Sequence, residues 1–149
     1  MKKANILIVD DNESILETLS AILEEKGYRT DTAKTGIEAI EKAKTNFYNI
    51  ALLDIKLPDI EGTKLLTKIE ETTPRMVKIM TTGYASLENA MEALNLGADA
   101  YIMKPVDPEN LLTVINEKLK EQRGAEKMSQ EKVAKWIETR ARKLEKGQL

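Results

Sequence analysis

Short runs of unbroken apolar residues alternate along the chain with longer stretches of helical period. Ile6-Leu7-Ile8-Val9 and Ile50-Ala51-Leu52-Leu53 are apolar at every position, as expected of parallel strands covered on both faces. The first strand spans roughly Asn5 to Val9 and belongs in the centre of a sheet. Between them, Glu13 to Lys26 places Ile15, Leu16, Leu19, Ile22 and Leu23 at helical spacing and stops at Gly27. Tyr28 to Ala33 is short and half polar, which suits an edge strand. Gly36 to Lys44 reads as a second helix.

The alternation continues. After the strand Asn49 to Asp54, Leu57-Pro58-Asp59 and Gly62 mark a loop, in which Pro58 and Gly62 read as ordinary turn chemistry, and a helix follows from about Thr63 to Glu71. Met76 to Thr81 is a fourth strand. Ser86 to Leu96 is a fourth helix, with Ser86 as N-cap and Gly97 at its end, and Ala100 to Met103 is a fifth strand. A fifth helix starts at Asp107, with Pro108 near its first position, and runs to about Gln122. Five strand-helix units in succession predict an α/β fold: a doubly wound five-stranded parallel sheet with the flavodoxin-like order 2-1-3-4-5, five helices and a C-terminal helical extension.

In such a sheet all strand C-termini emerge on one edge, where ligands bind. Asp10 and Asp11, Asp54, Thr82 and Lys104 each follow a predicted strand, so they should converge. Taken alone, an Asp pair after a strand is more often the N-cap of the next helix; the coincidence of all four positions argues for a site. Three neighbouring carboxylates repel unless a cation joins them, and a hard divalent ion with oxygen ligands, one or two carboxylates and phosphate oxygens, answers that need. Lys104 supplies a compact positive charge for a phosphoryl oxygen and Thr82 a hydroxyl donor. Gly83 leaves the backbone open to close approach by an anion.

Composition removes several alternatives. A length of 149 residues fits one domain. With no cysteine there are no disulfides or thiolate metal sites, and with no histidine the chain can neither carry phosphohistidine nor use imidazole as a base. The basic start is followed by an apolar run too short for a signal sequence, and no stretch reaches membrane-span length, so a cytoplasmic protein is expected. A net charge of −2 gives no global attraction to nucleic acid.

Over residues 4 to 121 the chain resembles the receiver domain of two-component response regulators, of the chemotaxis-regulator type. The resemblance is carried by Asp10-Asp11, the block Asp54-Ile55-Lys56-Leu57-Pro58-Asp59-Ile60-Glu61-Gly62, Thr82, Tyr101 and Lys104-Pro105, with separations of 28 from Asp54 to Thr82 and 22 from Thr82 to Lys104. It implies that Asp54 accepts a phosphoryl group from a sensor histidine kinase or histidine phosphotransfer protein. It further implies Mg2+, with Mn2+ as a substitute, held by Asp11, Asp54 and the backbone carbonyl of Lys56, with Asp10 acting through water. Lys104 would pair with Asp54 before phosphorylation and with the phosphoryl group after it; Thr82 and Tyr101 would be the switch pair. Thr81 is a competing hydroxyl, which the spacing to Lys104 disfavours. Lys56 and Tyr84 occupy positions that tune aspartyl-phosphate hydrolysis in the family, and the Lys104-Pro105 bond is expected to be cis. The expected role is a signalling switch rather than an enzyme, though one that assists its own phosphorylation and dephosphorylation. A phosphatase of the haloacid-dehalogenase type would carry an aspartate two residues after its nucleophile, where Lys56 stands. A degenerate receiver has no support, since every chemical position is filled.

The output is expected on the surface of the fourth helix, fifth strand and fifth helix, toward a downstream protein. Glu88, Glu92 and Asn95 lie there without a lysine, which argues against dimers built from charge pairs on that face. The domain division is 1–122 for the receiver and 123–149 for a charged, partly amphipathic helical tail. From Glu121 onward eight basic residues stand against five acidic ones. Gly124 predicts a break, followed by a helix from about Ser129 to Lys146 with Met128, Val133, Trp136, Ile137, Ala141 and Leu144 near one face. The tail reads either as a solvated linker helix toward an output domain of a longer regulator, DNA-binding or enzymatic, or as an interaction helix that packs on the receiver or pairs with a second copy, giving a monomer or a weak dimer. The tail is itself too short for a helix-turn-helix domain, and no direct nucleic-acid binding is expected.

Overall fold

Every strand of the sheet runs parallel to its neighbours, in the order β2-β1-β3-β4-β5. The strands are β1 (Asn5–Val9), β2 (Arg29–Ala33), β3 (Ile50–Asp54), β4 (Val77–Thr82) and β5 (Ala100–Met103). The helices between and after them are α1 (Glu13–Glu25), α2 (Gly36–Thr45), α3 (Gly62–Thr72), α4 (Leu87–Asn95) and α5 (Pro108–Glu145). This computed structural model describes residues 4–83, 87–145 and 147, with side chains left aside at 87–90. The predicted N-cap Ser86 and the tail residue Lys146 lie outside the described residues, as does Tyr84.

Period-two alternation divides the apolar strands between two cores. Leu7, Val9, Ala51, Leu53 and Met80 face α2, α3 and α4, where Ala39, Ala43, Leu65, Leu66, Ile69 and Ala93 meet them. Ile6, Ile8, Ile50, Leu52 and Ile79 face the other way, onto Leu16, Leu19 and Leu23 of α1 and Leu111, Ile115 and Leu119 of α5. The sheet is therefore buried on both faces, which is why β1 and β3 read as unbroken apolar runs. Polar β2 is the edge strand that its composition predicts; there the Tyr48 hydroxyl donates to the Asp31 carboxylate at 2.5 Å and Lys42 lies 3.2 Å from the same group.

Local signals place the ends of elements. Gly27, at φ +88°, ends α1 in the left-handed conformation, with Tyr28 N–H donating to the Leu23 carbonyl. Asn12 caps α1, its side chain accepting from Ile15 N–H at 3.2 Å. Gly62 has a steric role beyond turn chemistry: a Cβ there would lie 2.5 Å from Ile55 Cα. Among the described residues the buried charges are Asp10, Asp54 and Lys78. Lys78, 2% exposed, sets its ammonium against Glu70 of α3 and donates to the Met76 carbonyl at 2.5 Å, near the end of the sheet away from the strand C-termini.

The expected break at Gly124 is absent. α5 continues from Pro108 to Glu145 as one helix, and Gly124 sits in its exposed interior, where a Cβ would meet nothing within 4 Å. A single glycine costs a helix only about 0.5–1 kcal/mol relative to alanine, and good helix formers on both sides outweigh it. Gly124→Ala should therefore stabilise the extension by about 0.5–1 kcal/mol, visible as a higher melting midpoint of the helical circular-dichroism signal; an unchanged or lower midpoint would contradict a continuous helix.

Candidate functional site

β1 and β3 are adjacent and in register, with Val9 beside Leu53, so Asp10 and Asp54 emerge side by side at the C-terminal edge. Asp10 and Asp11 do not cap α1, because Asn12 does. Asp10 is buried, and one carboxylate oxygen accepts from Asn12 N–H at 2.9 Å. Asp54 is buried as well; its Oδ1 accepts from Lys56 N–H at 3.3 Å. Asp11 is exposed at the mouth. One carboxylate oxygen from each of Asp10, Asp11 and Asp54 lies within 4.8 Å of the others. That cluster has the donor set of a hard divalent cation: oxygen ligands, net negative charge, and one open side.

β5 contributes the counter-charge. Lys104 follows Met103, and its backbone N–H donates to the Thr82 carbonyl at 2.7 Å, fixing the lysine at the same edge. Its Nζ is 2.6 Å from Asp10 Oδ2 and 3.3 Å from Asp54 Oδ2. The family resemblance implies Asp54 as its partner; the structure shows the ammonium shared, and closer to Asp10. Lys104-Pro105 is cis, as expected.

The electrostatics follow from burial. Removal from water pushes the Asp54 carboxyl above its ordinary value; the nearby Lys104 charge pulls the other way, and the Asp10 charge adds to the rise. For Lys104 burial alone would favour the neutral amine, but the hydrogen bond to Asp10 and the charges of Asp54 and Asp10 prevail and hold its pKa above the usual lysine range.

Thr82 is the last residue of β4 and is fully buried. By alternation it shares a face with Met80, whose in-register neighbour on β5 is half-buried Tyr101. The two predicted switch residues thus lie on the α4 side of the sheet. Thr81 directs its hydroxyl to the Leu53 carbonyl at 3.5 Å. Lys56 is exposed on the loop after β3.

That loop is held by contacts that residue types alone did not reveal. Lys56 pairs with Glu61 in an isolated antiparallel bridge, and Gly62 N–H donates to the Ile55 carbonyl at 2.8 Å. Asp59 reaches across to α2, where its two oxygens accept from Gly36 N–H at 2.8 Å and Ile37 N–H at 2.9 Å. These bonds lower the Asp59 pKa. The only trace in the sequence is an acid within reach of a Gly-started helix.

The response regulator receiver domain family matches residues 6–116 of the chain. A receiver domain protein (CheY-like) from Methanospirillum hungatei JF-1 is 54% identical, superposes with a TM-score of 0.81, and is matched over 83% of this chain and 99% of its own. NtrX from Brucella abortus is 28% identical with a TM-score of 0.82, matched over 87% of this chain but 29% of its own. The transcriptional regulatory protein ZraR of Klebsiella oxytoca is 34% identical over 84% of this chain and 28% of its own length. The chain spans between about a quarter and a half of the curated relatives it matches.

A carboxyl whose folded pKa is raised is least favourable when ionised, so the cost to folding is full above the folded pKa and vanishes below the unfolded value. Asp54→Asn removes that cost and leaves Lys104 paired with Asp10. In chelator at neutral pH the variant should melt a few degrees higher than wild type, and Mg2+ should raise the wild-type Tm more than the variant's. Equal response to Mg2+ would remove Asp54 from the cation site.

Proposed function

Since the chain belongs to the response regulator receiver domains, we propose that it is a phosphorylation-driven signalling switch with Asp54 as acceptor. The supporting observation is the shared ammonium: Lys104 lies within 3.3 Å of both Asp10 and Asp54 while three carboxylates offer oxygens to one point. A carboxylate oxygen of Asp54 attacks the phosphorus of a partner kinase's or phosphotransfer protein's phosphohistidine; the P–O bond forms as the P–N bond breaks, and the imidazole leaves with the bonding pair. Little covalent assistance is needed, so positioning and charge neutralisation carry the rate.

The residues divide that work. Asp11, Asp54 and the Lys56 carbonyl would hold Mg2+ or Mn2+ directly and Asp10 through water; the bound ion supplies neutralisation of the phosphoryl oxygens. Lys56 N–H steadies the acceptor carboxylate. Lys104 moves from the Asp10–Asp54 pair to the incoming phosphoryl group. The Thr82 hydroxyl turns toward a phosphoryl oxygen, and Tyr101 closes inward on the same face of the sheet. This carries the change to α4, β5 and α5, where Met91, Leu94 and Met103 are more than half exposed and suit a protein partner.

The working location is the cytoplasm; among the described residues no helix is long and apolar enough to cross a membrane. Nucleic acid is not a direct ligand of the receiver. A second reading, that an output domain for DNA binding or catalysis lies outside this sequence, is favoured by relatives of which the matched region is only about a quarter, among them a transcriptional regulator.

Intact-mass spectrometry after incubation with acetyl phosphate and Mg2+ should show one added phosphoryl group on wild type, none on Asp54→Asn and none in excess chelator. No gain on wild type, together with no binding of beryllofluoride, would remove the switch reading. Lys56, two residues after the acceptor, and Tyr84, two after Thr82, are bulky residue types at sequence positions that tune hydrolysis in receiver domains, so Lys56→Ala combined with Tyr84→Ala should lose the phosphoryl group several-fold faster than wild type; slower loss would remove their shielding role.

A further inference from the structure

α5 turns one face to the core over its first four turns, where Leu111, Ile115 and Leu119 are buried. Gln122 completes that contact, donating to the carbonyls of Asn49 and Arg75 at 3.1 Å each. Beyond it the receiver ends and the helix does not. At about 100° per residue the same face continues outward as Glu126, Ser129, Val133, Trp136, Arg140 and Leu144. Val133, Trp136, Ile137 and Leu144 are each 56–65% exposed there. A core-facing stripe thus extends past its core.

The stripe is graded along its length. Beside Glu126 its first half carries the small Ala125 and Ser129; its second half is bulky, with Val133, Trp136, Ile137 and Leu144. Beside the small half runs a groove of about 350 Å3 between α5 and the base of the receiver, bounded by Arg75, Val77, Asp99, Gln122, Ala125 and Ser129. A second groove of about 480 Å3 carries it on past Arg75 to Val133 and Ile137. The missing counterpart is a bulky helical face that narrows toward its own start, which this chain itself provides when turned end for end.

We infer that two copies pair through antiparallel α5 extensions with the two-fold axis at Val133, so that the bulky end of each helix lies in the groove of the other. In that register Glu126 meets Arg140 of the second copy, Ser129 meets Ile137, Gln130 meets Trp136, and Gln122 meets Leu144. The basic end, with Arg140, Arg142 and Lys143, then approaches the acids Asp99, Glu121 and Glu126 of a groove whose lining also carries Arg75 and Lys118. A parallel, in-register pair would set Glu126 against Glu126 and Arg140 against Arg140, and would leave a gap between facing serines. Like charges at a seam are the usual device against a wrong orientation. Lys132, on the flank near the axis, is exposed and its stem carries the ammonium away into solvent.

The absence of cysteine makes the arrangement readable with single thiols and a short bifunctional maleimide. Val133→Cys should crosslink with itself, because it lies on the axis. Glu126→Cys should not crosslink alone but should do so when mixed with Arg140→Cys. Sedimentation equilibrium of the unsubstituted chain up to about 100 μM should show a dimer, weakened at least about tenfold by Trp136→Ala with unchanged circular dichroism. Self-crosslinking of Glu126→Cys would establish a parallel pair and overturn the arrangement. A monomer throughout that range, or a dimer indifferent to Trp136→Ala, would overturn the pairing itself.

Discussion

Mutual repulsion among carboxylates at the ends of β1 and β3 is the constraint around which the site is organised. Adjacent parallel strands in register bring Asp10 and Asp54 together whether or not the pairing is favourable, and both are buried. Lys104 compensates, but only because the backbone bond to Thr82 holds β5 against β4 at the point where its side chain can reach past β4 to both carboxylates. The compensation is incomplete: burial first, and the Asp10 charge after it, keep the Asp54 carboxyl above its ordinary pKa despite Lys104. A site left in that condition attracts further positive charge, and it gives the single ammonium a reason to move when a more highly charged group arrives.

The two cores serve that arrangement differently. α1 and α5 pack on one face through branched aliphatic side chains at helical spacing, giving a well-filled support. The opposite face uses alanines at Ala39, Ala43 and Ala93 and holds the buried Lys78 ammonium against the partly exposed Glu70. Buried charge tolerates little rearrangement without its partner, which pins the lower end of β4 while its upper end carries Thr82. A strand fixed at one end and polar at the other suits a local change that spreads toward α4.

Much of this was legible from residue order. Unbroken apolar runs identified β1 and β3 as central, Gly27 ended α1, and the four polar positions after strands marked the site edge, because each follows from local chemistry. Thr82 proved to be the last strand residue rather than the first after it, a difference of one position at an end that always frays. What escaped was relational. Nothing in the sequence says that Lys104 lies nearer Asp10 than Asp54, that Asp59 caps α2 from another loop, or that Lys78 is interior; each depends on distance across the fold. Gly124 misled for the opposite reason: a real local preference was outvoted by its neighbours in the helix.

The uninterrupted course of α5 has a mechanical consequence. The helix is rooted directly behind the Lys104-Pro105 turn and gripped at Gln122, and about 35 Å of it then runs on past the receiver's core. A rod of that length converts angle into distance: a tilt of about 5° at the grip displaces the far end by about 3 Å, as much as a hydrogen bond is long. Whatever rests on the tip would register a change at the root too small to alter any contact nearby.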